Sequence, residues 1–108
     1  MPWTVTFYKG VDQEILAMPA GIQARMLRLL ELMEKHGANL GPPHTRALGG
    51  GLFEVRAKAK EGIGRGLYCY ARGEQICVLY AFVKKTQKTP KQVLDISRAR
   101  MKEVAVNE

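Results

Sequence analysis

Apolar residues recur along this chain in two rhythms, and the switch between them marks out the elements. Trp3-Thr4-Val5-Thr6-Phe7-Tyr8 alternates large apolar side chains with threonines, the period of a half-buried strand. Lys9-Gly10 ends it, and a short helix is predicted from Val11, with Asp12 near its start and Ile15, Leu16 and Met18 turned inward. Pro19 interrupts that pattern. From Ala20 to His36 the rhythm becomes helical. Ile22, Met26, Leu29, Leu30 and Met33 fall on one stripe, while Gln23, Arg25, Arg28 and Glu31 face out. Gly37 follows where a C-terminal cap belongs.

Residues 38–51 carry Gly41-Pro42-Pro43 and Gly49-Gly50-Gly51 and read as a turn-rich connection from a helical layer to a sheet. Period two then returns three times. Leu52 to Lys58 places Phe53, Val55 and Ala57 on one face and Glu54, Arg56 and Lys58 on the other. Arg65 to Ala71 sets Tyr68 and Tyr70 against Leu67 and Cys69, and Gln75 to Val83 is the most apolar run. The turns at 60–64 and 72–74 are short, which predicts an antiparallel meander. Pro90 suits the first turn of a last helix, predicted to reach Val104 with a weak stripe of Val93, Ile96 and Val104. The pattern predicts an α+β fold: an N-terminal strand, two helices, a three-stranded antiparallel meander joined into one sheet, and a C-terminal helix. The sheet is expected to be antiparallel, with the 20–36 helix on one face. At 108 residues, with 46% hydrophobic and 25% charged residues, the expectation is a single domain over 1–108.

Charge changes the picture. Seventeen Lys and Arg against ten acids give +7, and the excess is uneven. Five basic and four acidic residues precede Ala47, whereas twelve basic and six acidic follow. A cationic C-terminal half favours a polyanion, most simply nucleic acid, over a membrane, for which no basic amphipathic segment stands out. No run approaches the roughly 18 residues of a spanning helix and no signal peptide is legible, so a cytoplasmic location is expected. Cys69 and Cys77 are expected to be buried thiols. No cofactor or metal is expected, since no C-x-x-C or H-x-x-x-H spacing occurs.

No G-x-S-x-G, phosphate-binding loop or H-E-x-x-H is present. What remains is a cationic constellation: Arg56 on one predicted strand, Arg65 on the next, and Lys84, Lys85 and Lys88 where the third leaves the core. Arginine forks grip phosphate bidentately and lysines add mobile charge, so such a group is suited to a phosphate transition state. Tyr68 and Tyr80 could stack on bases, though strand tyrosines more often pack, and His44, Thr45 and Arg46 in the connection read as a solvated loop from which a ligand could be reached.

Three segments together carry a resemblance. Leu52-Phe53-Glu54-Val55-Arg56, Gly64-Arg65-Gly66-Leu67-Tyr68, and Ala81-Phe82-Val83-Lys84-Lys85-Thr86-Gln87-Lys88-Thr89-Pro90 resemble the phage-derived, HigB-like branch of the RelE/ParE toxin superfamily. The predicted order of elements is also similar, so the resemblance covers nearly the whole chain. It implies a RelE-like fold and the toxin of a type II toxin–antitoxin system. The implied activity is metal-independent cleavage of messenger RNA, commonly on the ribosome, with a small helix-turn-helix antitoxin as partner. Position by position, it implies catalytic roles for Arg56, Arg65, Lys84 and Lys85, with Lys58, Tyr68, Lys88 and Arg98 binding RNA. All four catalytic candidates are expected to be dispensable for folding. The antitoxin is expected to cover the cationic face or lock the terminal helix. Two positions depart from the family pattern. Gly66 replaces a larger apolar residue, and Tyr80 stands where a histidine is frequent. The alternative function is a non-catalytic RNA- or ribosome-binding module, or a ParE-like gyrase inhibitor.

Overall fold

The computed structural model describes residues 3–84 and 88–106. The elements are β1 (Thr4–Phe7), α1 (Val11–Leu16), α2 (Ala20–His36), β2 (Thr45–Gly49), β3 (Leu52–Ala59), β4 (Gly62–Ala71), β5 (Gln75–Lys84) and α3 (Lys91–Val106). They build one five-stranded sheet in the order β1-β5-β4-β3-β2. The antiparallel meander β3-β4-β5 is the one the alternation predicts.

Two features differ from the expectation. First, β1 lies parallel to β5, with Val5 opposite Ile76, so the sheet is mixed rather than wholly antiparallel. β1 leads into helices and not a hairpin, and a strand so far from its neighbour in sequence is free to pair in either direction. Second, the 38–51 connection contains a strand: Thr45 to Gly49 pairs antiparallel with β3, with a register shift after Ala47. Arg46 and Ala47 of this edge strand are exposed, so it carries little of the apolar alternation that betrays a half-buried strand.

The helix α2 buries the five stripe residues Ile22, Met26, Leu29, Leu30 and Met33. Its seat on the sheet explains two glycines. A Cβ on Gly64 would come 2.5 Å from Ile22 Cγ2, and one on Gly66 would come 3.0 Å from Val55 Cγ1 and 3.8 Å from Met26 Cε. The departure at Gly66 is thus where the backbone makes room for packing across the sheet. In α1, Val11 and Ile15 are buried, but Leu16 is exposed, since the residue after Ile15 lies about 100° further round the helix. Replacing Leu30, which is 4% exposed, with alanine is expected to cost about 2–5 kcal/mol by chemical denaturation. A loss under ~1 kcal/mol would mean that α2 is not a core element.

The opposite face packs Leu52, Leu67, Cys69, Cys77 and Leu79 against α3, which contributes Val93 to the buried cluster. Cys69 and Cys77 sit directly opposite one another as buried thiols. Leu94, Met101 and Val104 pack against the same cluster while partly exposed, and polar ties add to the hold on α3. Leu79 falls at the register shift between β4 and β5, and its carbonyl accepts a 2.7 Å hydrogen bond from Arg100 Nη1. The Arg100 guanidinium lies 4.5 Å from the centre of the Tyr8 ring, and Tyr8 Oη donates to Glu103 Oε2 at 2.7 Å. Arg100 is thus a clasp between helix and sheet.

Candidate nucleic-acid interface

Strand register puts the basic residues into rows. Lys58, Ile63 and Lys84 lie opposite one another across β3, β4 and β5, and Arg56, Arg65 and Phe82 form the next row on the same face. The row below is Glu54, Leu67 and Tyr80. Lys58 and Lys84 flank a single strand, about 10 Å apart at their backbones. Arg56, Lys58 and Lys84 all retain surface, whereas Arg65 is 0% exposed.

Arg65 is therefore not placed where its position in sequence suggested. Its Nη1 donates to Glu54 Oε1 at 3.1 Å, and Glu54 is itself fully buried. The same Oε1 accepts from Arg46 Nε at 3.1 Å, and Oε2 accepts from Thr89 Oγ1 at 2.7 Å. One carboxylate thus joins β2, β3, β4 and the approach to α3. A buried guanidinium has no surface to offer an RNA phosphate, and it is needed by the carboxylate it neutralises. What this burial corrects is the exposed strand-end placement that the expected roles of Arg65 assumed. Tyr68 is corrected in the same way. It is 0% exposed on the α2 face, its ring 5.6 Å from that of Phe53, and its Oη donates to the Ala38 carbonyl at 2.8 Å. No face of that ring is open to a base.

Burial pushes the Tyr68 hydroxyl well above its ordinary value of 10.0. The neutral form is the one the fold prefers, so this contribution is complete below pH ~10 and is lost as the pH climbs toward the raised folded value. Wild-type protein should lose stability on titration above pH ~10 more steeply than Tyr68→Phe, and parallel curves would show that the hydroxyl is not the group responsible.

Arg98 is likewise engaged, its Nη1 donating to Gly49 O at 3.1 Å and Nη2 to Leu48 O at 3.3 Å, which ties α3 to β2. Lys88 is exposed at the rim of a cleft of about 350 Å³ lined also by Arg46, Leu48, Thr89 and Leu94. Lys85 lies outside the described residues. A second cleft, about 300 Å³, opens where β2 stops and β3 runs on alone. It is lined by Arg25 of α2, Pro43, His44, Arg56 and Lys58. Arg56 N donates to His44 O at 2.8 Å, joining the connection to β3 at its mouth. Among the described residues, no group of three or more His, Cys, Asp or Glu comes together that could hold a metal ion, and no helix is long and apolar enough to cross a membrane.

Sequence reasoning missed the hub at Glu54 and the cleft residue Arg25. The signal for Glu54 was present: it shares a strand face with Leu52, and Arg65 shares one with Leu67 and Cys69, so an acid and a base were both pointing into the apolar α3 face. A buried pair is the physical resolution.

Residues 13–102 match the family described as "Phage derived protein Gp49-like (DUF891)". The chain belongs to this Gp49-like family. No functionally curated protein matches it. Among solved structures, the Gp49-like chain is similar to one from the RelBE2 toxin–antitoxin complex of Mycobacterium tuberculosis, at 21% identity and a TM-score of 0.56, over 78% of this chain and 100% of that one. It is also similar to a chain of the archaeal RelE–RelB complex from Pyrococcus horikoshii OT3, at 20% identity and a TM-score of 0.59, over 82% of this chain and 100% of that one. At these identities the likeness is one of fold. This Gp49-like protein has a RelE-like α+β fold.

Proposed function

We propose that this protein is the toxin of a type II toxin–antitoxin system, of the HigB-like branch, and that it inhibits translation by cleaving messenger RNA on the ribosome without a metal. The carrying observation is the row arrangement of Arg56, Lys58 and Lys84 at the uncovered end of the α3 face, on a RelE-like scaffold in a phage-derived family. Arg56 offers a planar fork for the scissile phosphate, and Lys58 and Lys84 flank it with positive charge for the flanking backbone. Arg65 acts indirectly: by neutralising Glu54 it fixes the strand that presents Arg56. The RNA 2′-hydroxyl supplies the nucleophile, so the protein's task is positioning and charge stabilisation. Both solved relatives are chains of complexes named toxin–antitoxin or RelE–RelB, which supports an antitoxin partner here, with a small helix-turn-helix protein as the expected kind. A cytoplasmic site of action follows from ribosomes as target.

One observation favours the non-catalytic alternative: the row of Arg56, Lys58 and Lys84 holds neither a histidine nor a carboxylate for proton transfer. Expression in a bacterial host separates the two. The protein should arrest growth with rapid loss of message, leave DNA supercoiling by gyrase unaffected, and be silenced by the product of its neighbouring gene. Growth arrest with intact messages and altered supercoiling would support the gyrase reading instead.

A further inference from the structure

The cleft between α2, the Pro43–His44 stretch ahead of β2, and β3 has a composition that the row of exposed cations does not explain. Four of its five lining residues, Arg25, His44, Arg56 and Lys58, carry nitrogen donors, and none of the five is acidic. They converge from three separate elements: Arg25 from α2, His44 from the stretch ahead of β2, and Arg56 and Lys58 from β3. Three cationic side chains gathered at one concavity repel one another and are stabilised by an anion among them. At about 300 Å³, the cleft matches the lower end of volumes that hold a small ligand. His44 is set there by backbone geometry at both faces of its peptide unit, its N–H donating to Gly41 O at 3.0 Å and its carbonyl accepting from Arg56 N at 2.8 Å.

We propose that this cleft is the phosphodiester site, and that His44 is the proton-transfer group which the exposed cation row lacks. The inference rests on the ribonuclease reading for its chemistry. Arg25, Arg56 and Lys58 hold the two non-bridging oxygens. His44 takes the proton of the 2′-hydroxyl as the O2′–P bond forms. The P–O5′ bond breaks, and the departing 5′ oxygen receives a proton from solvent. The products are a 2′,3′-cyclic phosphate and a 5′-hydroxyl end, with no oxidant, reductant or metal required. Imidazole is the side chain most often used for such transfers. The histidine absent at Tyr80 is thereby supplied from the opposite side of β3.

The chain has only two histidines, and His36 is exposed at the C-terminal end of α2, so the imidazole proton signals offer a built-in control. Titrating the full wild-type chain with inorganic phosphate, and separately with adenosine 3′-monophosphate, should shift the His44 signal saturably and leave that of His36 in place. Arg25→Gln should weaken the apparent affinity for either probe about tenfold. His44→Gln should lower RNA cleavage by roughly 10²–10⁴-fold while changing the nucleotide affinity less than about threefold. A His44 signal indifferent to both probes, or His44→Gln cleaving at the wild-type rate, overturns the proposal. A wild-type chain that moves the His44 signal yet cleaves no RNA, with or without ribosomes, supports the anion site and overturns the proton transfer together with the ribonuclease reading. Cleavage that survives in His44→Gln leaves the ribonuclease reading standing alone.

Discussion

Glu54→Ala should destabilise the protein by about 3–5 kcal/mol, the largest effect expected of any single charged residue here. The carboxylate is fully buried and accepts hydrogen bonds from Arg65, Arg46 and Thr89. Its removal takes from the Arg65 guanidinium, itself 0% exposed, the buried carboxylate that neutralises it. Arg46 can turn to water, since half of its side-chain surface is already exposed, so the cost falls on Arg65. Arg65→Ala should be similarly damaging, because it leaves a carboxylate without its buried partner. The pair replaced together by apolar residues of like volume, Glu54→Leu with Arg65→Met, should recover much of the loss. Chemical denaturation of the two single variants and the double variant measures this directly. Single losses under ~1 kcal/mol, or a double variant as weak as the sum of the two, would show that the buried pair does not hold β3 to β4 as described.

Arg56→Ala should have the largest effect on activity. The residue lies beside Arg65 in the same row but keeps exposed surface, and it borders the cleft as well. Loss of one well-placed donor to a developing charge costs on the order of 10²–10³ in rate. The thermal midpoint should move by only a few degrees, since the core packing of β3 rests on Val55 and Ala57. Arg56→Lys should rescue in part, because a point charge does not reproduce the bidentate fork. Activity that instead declines gradually with each charge removed from Arg56, Lys58 and Lys84, and follows salt concentration, would identify a binding surface without chemistry.

The contrast between Arg56 and Arg65 shows where the sequence is informative and where it stops. Alternation placed Glu54, Arg56 and Lys58 on one face of β3, and the structure agrees. It does not say where along that face α3 ends. Under the helix the same face is apolar interior, and past it the face meets water. Arg65 and Arg56 are directly opposed, yet one is sealed and the other is half-buried, a distinction made by tertiary cover. The helix α2 was fully legible because five buried residues repeat at helical spacing over about three turns. The strand β2 was not, being five residues long, at a sheet edge and bracketed by glycines and prolines that read as turn. The parallel partner of β1 was equally hidden, since period two reveals a strand and its buried face but not the direction of its neighbour. The K-x-x-K-T-P run was noticed for its charge, but the described contact it makes with the core is through Thr89 to Glu54.

The most direct test is to add the purified chain to a translating reaction on a defined message, with excess chelator, and to map the RNA ends. New 5′-hydroxyl ends should appear within the message for wild-type protein and form on the order of 10²–10³-fold more slowly for Arg56→Ala, whose thermal midpoint moves by only a few degrees. An intact message in the presence of folded, growth-inhibiting wild-type protein would contradict the assignment of this Gp49-like protein as a ribonuclease.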